Sequence, residues 1–331
     1  MVFSFGGLSL ATSKKILDYA ESKFPADNLT LQMNLISLKC FHNLVAGNWL
    51  DEEYEDALME HEFRIGELYM VTSHMGMQAH IYIERGDRQA VKVLDRLLEF
   101  AEIYEYNYGK LARHTHYALY RYKYQEYVKV LEMAPRGLEW IRDHLGNKPG
   151  RIMLYSIQIK ALFMLGRYDK LEELYHEVED LARGEQLVPY FESYFLTATL
   201  MFEIQKLEII TREGKTKPLG TQFRKARKAG RRALKTCKKI AYERVETYRL
   251  IGLSYWLIGK EQIAIKWWSR ALSESEKLGA RIERAVTMRE VGRWFTKSGR
   301  DDLQIEGMDA DGLNRQAIKL FKEMDIPYNH K

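Results

Sequence analysis

Apolar residues recur three and four positions apart over most of the chain, which is the spacing of one buried face of an α-helix. Leu171, Leu174, Val178 and Leu181 form one such stripe. Helix-breaking residues are few, since the 331 residues include only 6 prolines. Five prolines fall where we place a turn or a helix start, whereas Pro135 lies inside a predicted helix and is expected to kink or split it. The pattern predicts an all-α protein.

The helices recur in units of helix, turn and helix. The clearest unit combines small residues, large aromatic residues and a turn glycine at Gly252, Tyr255, Gly259, Ala264, Trp268 and Ala271. These residue types at these offsets match the tetratricopeptide pattern. We expect Gly252 and Ala264 to be small because the two helices of a hairpin cross closely there, with Trp268 beside the crossing.

Weaker copies of the unit lie upstream and downstream, around Gly166, Gly86 and Gly292. Candidate turn glycines are Gly47, Gly86, Gly166, Gly214, Gly259 and Gly299. A degenerate unit with its turn near Lys123 fills the widest gap, so the period is about 40 residues. The prediction is one helical-repeat domain over 1–331, a tetratricopeptide-like α-solenoid of about seven hairpins. It comprises a capping or orphan helix at 10–24 and hairpins near 28–68, 71–105, 108–146, 150–182, 188–240, 243–278 and 282–325.

The composition indicates a folded cytoplasmic protein. Hydrophobic residues make up 46% and charged residues 29% of the chain. Cys40 and Cys237 lie far apart on apolar helix faces, so we expect buried thiols and neither a disulfide framework nor a CxxC site. The sequence has no apolar run long enough to span a membrane, and its first residues lack the charged region of a signal peptide.

No motif for catalysis, metal binding or a cofactor emerges. Gly214-Lys215-Thr216 resembles the end of a phosphate-binding loop, but the required first glycine is replaced by Ile209. His114 and His116 are two positions apart and point to different sides of a helix, so they cannot share a metal. We therefore expect no enzymatic activity, no cofactor and no metal.

Charge is unevenly distributed along the chain. The net charge is +5, with −7 in residues 1–110 and +12 in the remainder. Residues 215–239 hold 11 Lys and Arg and no Asp or Glu, and their apolar residues form a single stripe. A basic face is predicted to include Arg224, Lys228, Arg231, Lys235 and Lys238. It would suit nucleic acid or an anionic surface, or else be a solvated face or a contact with an acidic protein, such as the acidic first third of a second copy.

The first helix of each tetratricopeptide hairpin lines the concave side, where ligands bind. By their offset from the turn glycines, the candidate partner-binding residues are Lys160, Phe163, Arg249, Trp256, Arg289 and Arg293. Arginine and aromatic residues are good binding anchors, although the same types also serve packing between hairpins. For Trp256 a core position is the favoured interpretation.

Residues 248–294 contain Ile258-Gly259-Lys260, Trp267-Trp268, Leu278-Gly279-Ala280-Arg281 and Glu290-Val291-Gly292-Arg293. This arrangement resembles the C-terminal helical repeat region of large bacterial signalling ATPases of the AAA/STAND class, some of which begin with a protein-kinase or adenylate-cyclase domain. Residues 317–325 resemble the final helix of that region. The resemblance implies a tetratricopeptide arm that recruits partners and regulates an attached enzyme.

This chain departs from that family because it has no nucleotide-binding or cyclase domain. If complete, it acts alone or in trans; if it is a fragment, the catalytic parts lie upstream. The unpaired helix at 10–24 favours a fragment or a truncated gene. The prediction is a non-catalytic scaffold for protein–protein interaction in signal transduction, with self-association as one option. The alternative is nucleic-acid or anionic-surface binding through 215–239.

Overall fold

The computed structural model describes residues 9–25, 27–51, 68–300 and 302–327. Within these ranges the chain forms fourteen α-helices and one 3-10 helix, Trp49–Asp51. The α-helices are α1 (Leu10–Lys23), α2 (Leu29–Ala46), α3 (Leu68–Arg85), α4 (Gln89–Ile103), α5 (Asn107–Lys123), α6 (Tyr127–His144), α7 (Lys148–Met164), α8 (Tyr168–Ala182), α9 (Pro189–Arg212), α10 (Thr216–Cys237), α11 (Arg244–Trp256), α12 (Glu261–Leu278), α13 (Arg281–Ser298) and α14 (Ala310–Glu323). The prediction of an all-α protein is confirmed.

From α3 onward, successive helices pack in pairs joined by short turns, except that the longer segment 299–309 joins α13 to α14. Five turns place a glycine at positive φ, which glycine adopts without steric cost: Gly86, Gly166, Gly214, Gly259 and Gly299. The turn after α5 instead uses Gln125, at φ 62°. Consecutive packed helix pairs are the arrangement of an α-solenoid. The second helix of the predicted hairpin at 28–68 falls mostly in 52–67, outside the described residues.

The solenoid closes on itself. The first helices of six successive pairs, α3, α5, α7, α9, α11 and α13, contact one another in this order, and α13 also contacts α3. Near this closure Arg88 donates to the Asp325 carbonyl at 3.1 Å, and Ala241 N–H donates to the Val45 carbonyl at 2.9 Å. The six first helices therefore form a ring, and their inner faces meet in its centre, which we call the lumen.

Local sequence explains where several helices start. The side chains of Ser9, Asn28, Asn147 and Asp309 accept backbone N–H donors at the starts of α1, α2, α7 and α14, respectively. Pro135 was expected to kink or split its helix; it does not split it, since α6 runs continuously from Tyr127 to His144.

Apolar side chains fill the space between neighbouring helices in two clusters. The larger cluster includes residues from α2 to α12, and the smaller is centred on α12, α13 and α14. Trp268 and Phe295 are fully buried in the smaller cluster. None of the helices in the described ranges has the length and apolar character needed to cross a membrane.

Candidate functional site

Charged side chains occupy one end of the lumen. They come from α3, α5, α7, α11 and α13 and from the residue preceding α11, and all are buried. This buried charge cluster consists of Glu84, Lys123, Lys160, Glu243, Glu246, Arg249, Glu283 and Glu290. Side chains from such distant parts of the chain meet because the ring brings the inner faces of its helices together.

Each cation of the cluster bridges two or more carboxylates, at least one of them from another element. Lys123 Nζ lies 3.1 Å from Glu84 and 2.9 Å from Glu283. Since these partners belong to α3, α5 and α13, this bridge ties the start of the ring to its end.

The second lysine lies deeper in the α7–α11 part of the ring. Lys160 Nζ is 2.6 Å from both carboxylate oxygens of Glu243 and 2.8 Å from Glu246. Arg249 then links Glu246, at 3.0 Å, to Glu290, at 2.5 Å. Arg249 also lies 3.8 Å from Glu283, so the three cations and five carboxylates form one connected network.

Burial and the neighbouring cations act in opposite directions on the pKa values of the carboxylates in the cluster. Burial raises the pKa of Glu243 to about 7, against the attraction of Lys160. Burial also acts on Glu246, but Lys160, Lys123 and Arg249 outweigh it and lower the pKa of Glu246 to about 2. Burial raises the pKa of Glu84 despite its contact with Lys123. The pKa of Glu243 therefore lies near neutral pH.

Histidine and tyrosine side chains form the adjoining layer of the lumen. His116 Nδ1 lies 2.8 Å from the Ala112 carbonyl, which can only accept, so Nδ1 carries the proton. The Tyr190 hydroxyl then donates to His116 Nε2 at 3.2 Å. His80 lies between Tyr190 and Tyr194, 3.5 Å and 3.2 Å from their hydroxyls. Burial lowers the pKa of both histidines, to about 3 for His116, so both are neutral at physiological pH.

The charged residues on the outer face of α10 are exposed, unlike those of the buried charge cluster. All 11 Lys and Arg of 215–239 are exposed, whereas Phe223, Ala226, Ala233 and Cys237 of the same helix are buried. Arg224, Lys228, Arg231, Lys235 and Lys238 follow one another at spacings of four and three, which aligns them along one side of the helix. Of the 11 Lys and Arg residues of 215–239, only Lys215 has a carboxylate partner among the described residues, Glu213 at 2.7 Å. We call this surface the basic face.

Four of the six candidate partner-binding residues of the concave side are buried: Lys160, Phe163, Arg249 and Trp256. Lys160 and Arg249 belong to the buried charge cluster, and Trp256 packs on Trp268 with ring centroids 5.3 Å apart. In this conformation none of the four is accessible to a partner, because closure of the ring turns their face inward. Partner binding by these four residues stays a prediction.

The other two candidates differ from each other. Arg289 is partly buried, donates a hydrogen bond to Gln125 and has its guanidinium 5.3 Å from the ring centre of Phe321. Arg293 is exposed. Of the six, Arg293 alone presents its side chain to solvent without a hydrogen bond or ion pair among the described residues.

Most of the buried charge cluster was not anticipated from the sequence. Glu84, Lys123, Glu243, Glu246 and Glu283 lie on first helices or directly before one, and each has apolar residues close by in sequence. A charge within an otherwise apolar helix face, such as Lys160 between Ile159 and Ala161, is the signal that identifies such a residue as buried and paired. Its partners, however, are dozens of positions away.

The small residues of the repeat unit lie at helix contacts. A Cβ atom on Gly252 would lie 2.5 Å from two ring atoms of Trp268, so α11 and α12 cross closely there. Ala264, Ala271 and Trp268 are fully buried, and the half-buried Tyr255 packs on Phe223. A Cβ on Gly292 would lie 2.7 Å from Asn314 of α14.

No protein-family model matches the chain, and no curated protein matches it. In the described part of the chain, no group of three or more His, Cys, Asp or Glu residues is arranged to hold a metal ion.

Proposed function

We propose that this chain is a tetratricopeptide-like, non-catalytic interaction scaffold that binds an acidic protein partner through the basic face of α10. One observation carries the proposal: 11 cations lie exposed over 25 consecutive positions, with no acidic residue in the tract. Concentrated like charge repels itself and is relieved when a partner of opposite charge binds. The stripe from Arg224 to Lys238 is about 21 Å long at 1.5 Å per residue, which suits an acidic helix or an extended acidic segment.

The outer face is favoured over the lumen because of access. In the lumen, the cations are already paired with carboxylates and buried, so a partner would have to break those ion pairs to bind. On the basic face, ten of the 11 cations have no carboxylate within 4.0 Å among the described residues. A partner that binds to the basic face therefore displaces only water and counterions.

The resemblance of 248–294 to the helical arms of AAA/STAND signalling ATPases supports a regulatory role. In this proposal the chain is cytoplasmic, and its partner is an acidic surface of such an ATPase or cyclase. The tetratricopeptide assignment is supported by the close approach of Gly252 to Trp268 and by paired helices that recur at about 40 residues.

Nucleic acid is the second candidate partner, and the same cation stripe favours it. The aromatic residues nearest to the tract are Phe223 and Tyr242, and both are buried. They cannot stack on unpaired bases, so the basic face would contact a duplex through its phosphates rather than a single strand.

The two candidates are separated by fluorescence anisotropy. The probes are a labelled poly-glutamate peptide and a random-sequence DNA duplex, each titrated with the chain over a range of salt concentrations. The test variant combines Arg224→Glu, Lys228→Glu and Arg231→Glu. Its matched control combines Arg315→Glu, Lys319→Glu and Lys322→Glu, which makes the same change in net charge on exposed positions of α14.

We expect salt-sensitive binding of the peptide that the test variant weakens by about tenfold or more and the control leaves nearly unchanged. Equal losses in both variants, or no binding of the peptide by the wild type, would refute the proposal. Tighter binding of the duplex than of the peptide, lost in the test variant alone, would establish the second candidate instead.

A further inference from the structure

We propose that the mouth of the lumen is a binding site for a small, neutral aromatic molecule. The site is a cavity of about 80 Å³ that lies beside the histidine–tyrosine layer. It is independent of the basic face, which lies on the outer surface of α10. The proposal rests on the walls of the cavity, on their lack of charge and on one glycine.

The cavity is formed where the first turns of several ring helices meet α2. Its walls include Phe41 of α2, Tyr69 and Gly76 of α3, Tyr108 of α5 and Phe191 of α9. The rings of Tyr69 and Tyr108 lie 5.1 Å apart at the rim. Since aromatic walls favour offset and edge-to-face contacts with another ring, a flat aromatic ligand is complementary to this space.

The volume limits the ligand to a single small ring system. About 10–15 Å³ of this kind of space is needed for one water molecule. The cavity therefore holds roughly six waters, or an organic molecule of about six to ten non-hydrogen atoms. A peptide or a nucleotide is too large for it.

The chemistry of the lining excludes a charged ligand. Among the described residues that line the cavity there is no Asp, Glu, Lys or Arg. Its inner end carries hydroxyl and imidazole groups from Thr115, His116 and Tyr190. Burial, together with the nearby His80, lowers the pKa of His116 to about 3, so this imidazole is neutral. An ionised ligand would lose its hydration without gaining a counter-ion, whereas a neutral hydroxyl could be accommodated beside these groups.

Gly76 keeps the space open although the fold does not require a glycine there. A Cβ atom at this position would lie 3.5 Å from His116 and 3.7 Å from Ala112, which is ordinary van der Waals contact. At Gly150, by contrast, a Cβ would lie 2.8 Å from Leu111. A glycine inside a helix stabilises it less than an alanine does. Gly76 therefore lowers the stability of α3, and its missing side chain leaves the cavity unfilled.

The histidine–tyrosine layer separates the cavity from the buried charge cluster. Tyr190 contacts His116 on one side and His80 on the other. His80 Nε2 in turn lies 3.6 Å from Glu84, the carboxylate that pairs with Lys123.

The test uses benzyl alcohol as the probe, with benzoate and benzylamine as charged analogues of the same size. Binding is measured by saturation-transfer NMR and by isothermal titration on the full chain. We expect a submillimolar dissociation constant for benzyl alcohol and binding at least about tenfold weaker for both charged analogues, because their charge has no partner in the lining.

Variants at Gly76 locate the site. Gly76→Leu places a side chain in the cavity and is expected to abolish benzyl alcohol binding. Gly76→Ala adds a methyl group that makes ordinary van der Waals contacts with His116 and Ala112. This variant is expected to weaken benzyl alcohol binding several-fold. The matched control is Gly220→Leu, a helical glycine with no atom within 4 Å of its added Cβ, which should bind like the wild type.

Circular dichroism and thermal unfolding establish that each variant is folded. Gly76→Ala keeps the test decisive if Gly76→Leu does not fold. The proposal is overturned if benzyl alcohol does not bind the wild type at millimolar concentration, if the charged analogues bind equally well, or if folded Gly76 variants bind like the wild type.

Discussion

Lys160 and Glu243 are 83 positions apart in the chain, yet Lys160 Nζ lies 2.6 Å from each carboxylate oxygen of Glu243. Both side chains are fully buried. Lys160 comes from α7, and Glu243 directly precedes α11. The contact therefore depends on the curvature of the ring, and it turns a surface suited to partner binding into an internal ion pair.

Removing Lys160 should strongly destabilise the fold. We expect Lys160→Met to lower the free energy of unfolding by about 3–5 kcal/mol, because it leaves Glu243 and Glu246 buried without their shared cation. The loss should be smaller at pH 5 than at pH 8, since Glu243, whose pKa burial already raises to about 7, then takes up a proton. Urea unfolding at both pH values measures the effect.

Two further variants distinguish a buried charge from a general loss of packing. Lys160→Met with Glu243→Met should recover much of the stability, because an apolar pair replaces an ion pair of similar volume. Lys14→Met removes the pair between Lys14 and Asp18, whose side chains are 63% and 52% exposed, and should cost less than about 1 kcal/mol. Equal losses in Lys160→Met and Lys14→Met would contradict the role of burial.

Gly252 and Gly220 should respond in opposite directions to the same substitution. Gly252→Ala forces a methyl group against Trp268 and disturbs the hydrogen bond from its indole N–H to the Arg249 carbonyl, at 3.1 Å. We expect a loss of about 1–3 kcal/mol. Gly220→Ala meets no neighbour within 4 Å and should gain roughly 0.5–1 kcal/mol from helix propensity. Thermal unfolding measures both, and wild-type stability in Gly252→Ala would refute the close crossing.

The stability of the fold should decrease in mild acid. Burial lowers the pKa of His74 to about 4. The unfolded chain binds this proton near pH 6.5, whereas the folded chain binds it only near pH 4. The free energy of unfolding therefore has its full value above pH 6.5 and falls as the pH is lowered toward 4, by up to about 1.4 kcal/mol per pH unit. His74→Leu should flatten the pH dependence of urea unfolding by about that slope. His176→Leu, which removes an imidazole that water solvates in both states, is the control.

Both thiols should resist modification in the folded chain. Cys40 and Cys237 are each about 1% exposed, and burial raises the pKa of the Cys237 thiol to about 12. Since the thiolate is the reactive form, Ellman's reagent should react with the native chain only through unfolding. Ser22→Cys adds an exposed thiol that reacts immediately. Fast labelling of the wild type under native conditions would contradict the burial of these residues.

Helices and their turns could be predicted because their signals are local. Apolar residues at spacings of three and four mark a buried helix face whatever packs against it. Gly86, Gly166 and Gly259 mark turns because glycine tolerates positive φ, as each does in the structure. The turn at Gln125 has no glycine, and its place was inferred only from the spacing of the other turns.

The alternation of buried and exposed positions on α10 was also contained in the sequence. A stripe of small and apolar residues leaves only one arrangement for the charged ones, which is outward. The amphipathic pattern therefore determined the basic face before any neighbouring helix was known.

What only the tertiary structure decided is which charges face inward and what they meet. The partners of Lys160 and Arg249 could not be predicted from the sequence, because nothing local shows that α13 returns to contact α3. Glu84, Lys123 and Glu283 meet only once the ring has closed. Small rotations between successive helix pairs add up around the solenoid, and this accumulated curvature is absent from any local pattern.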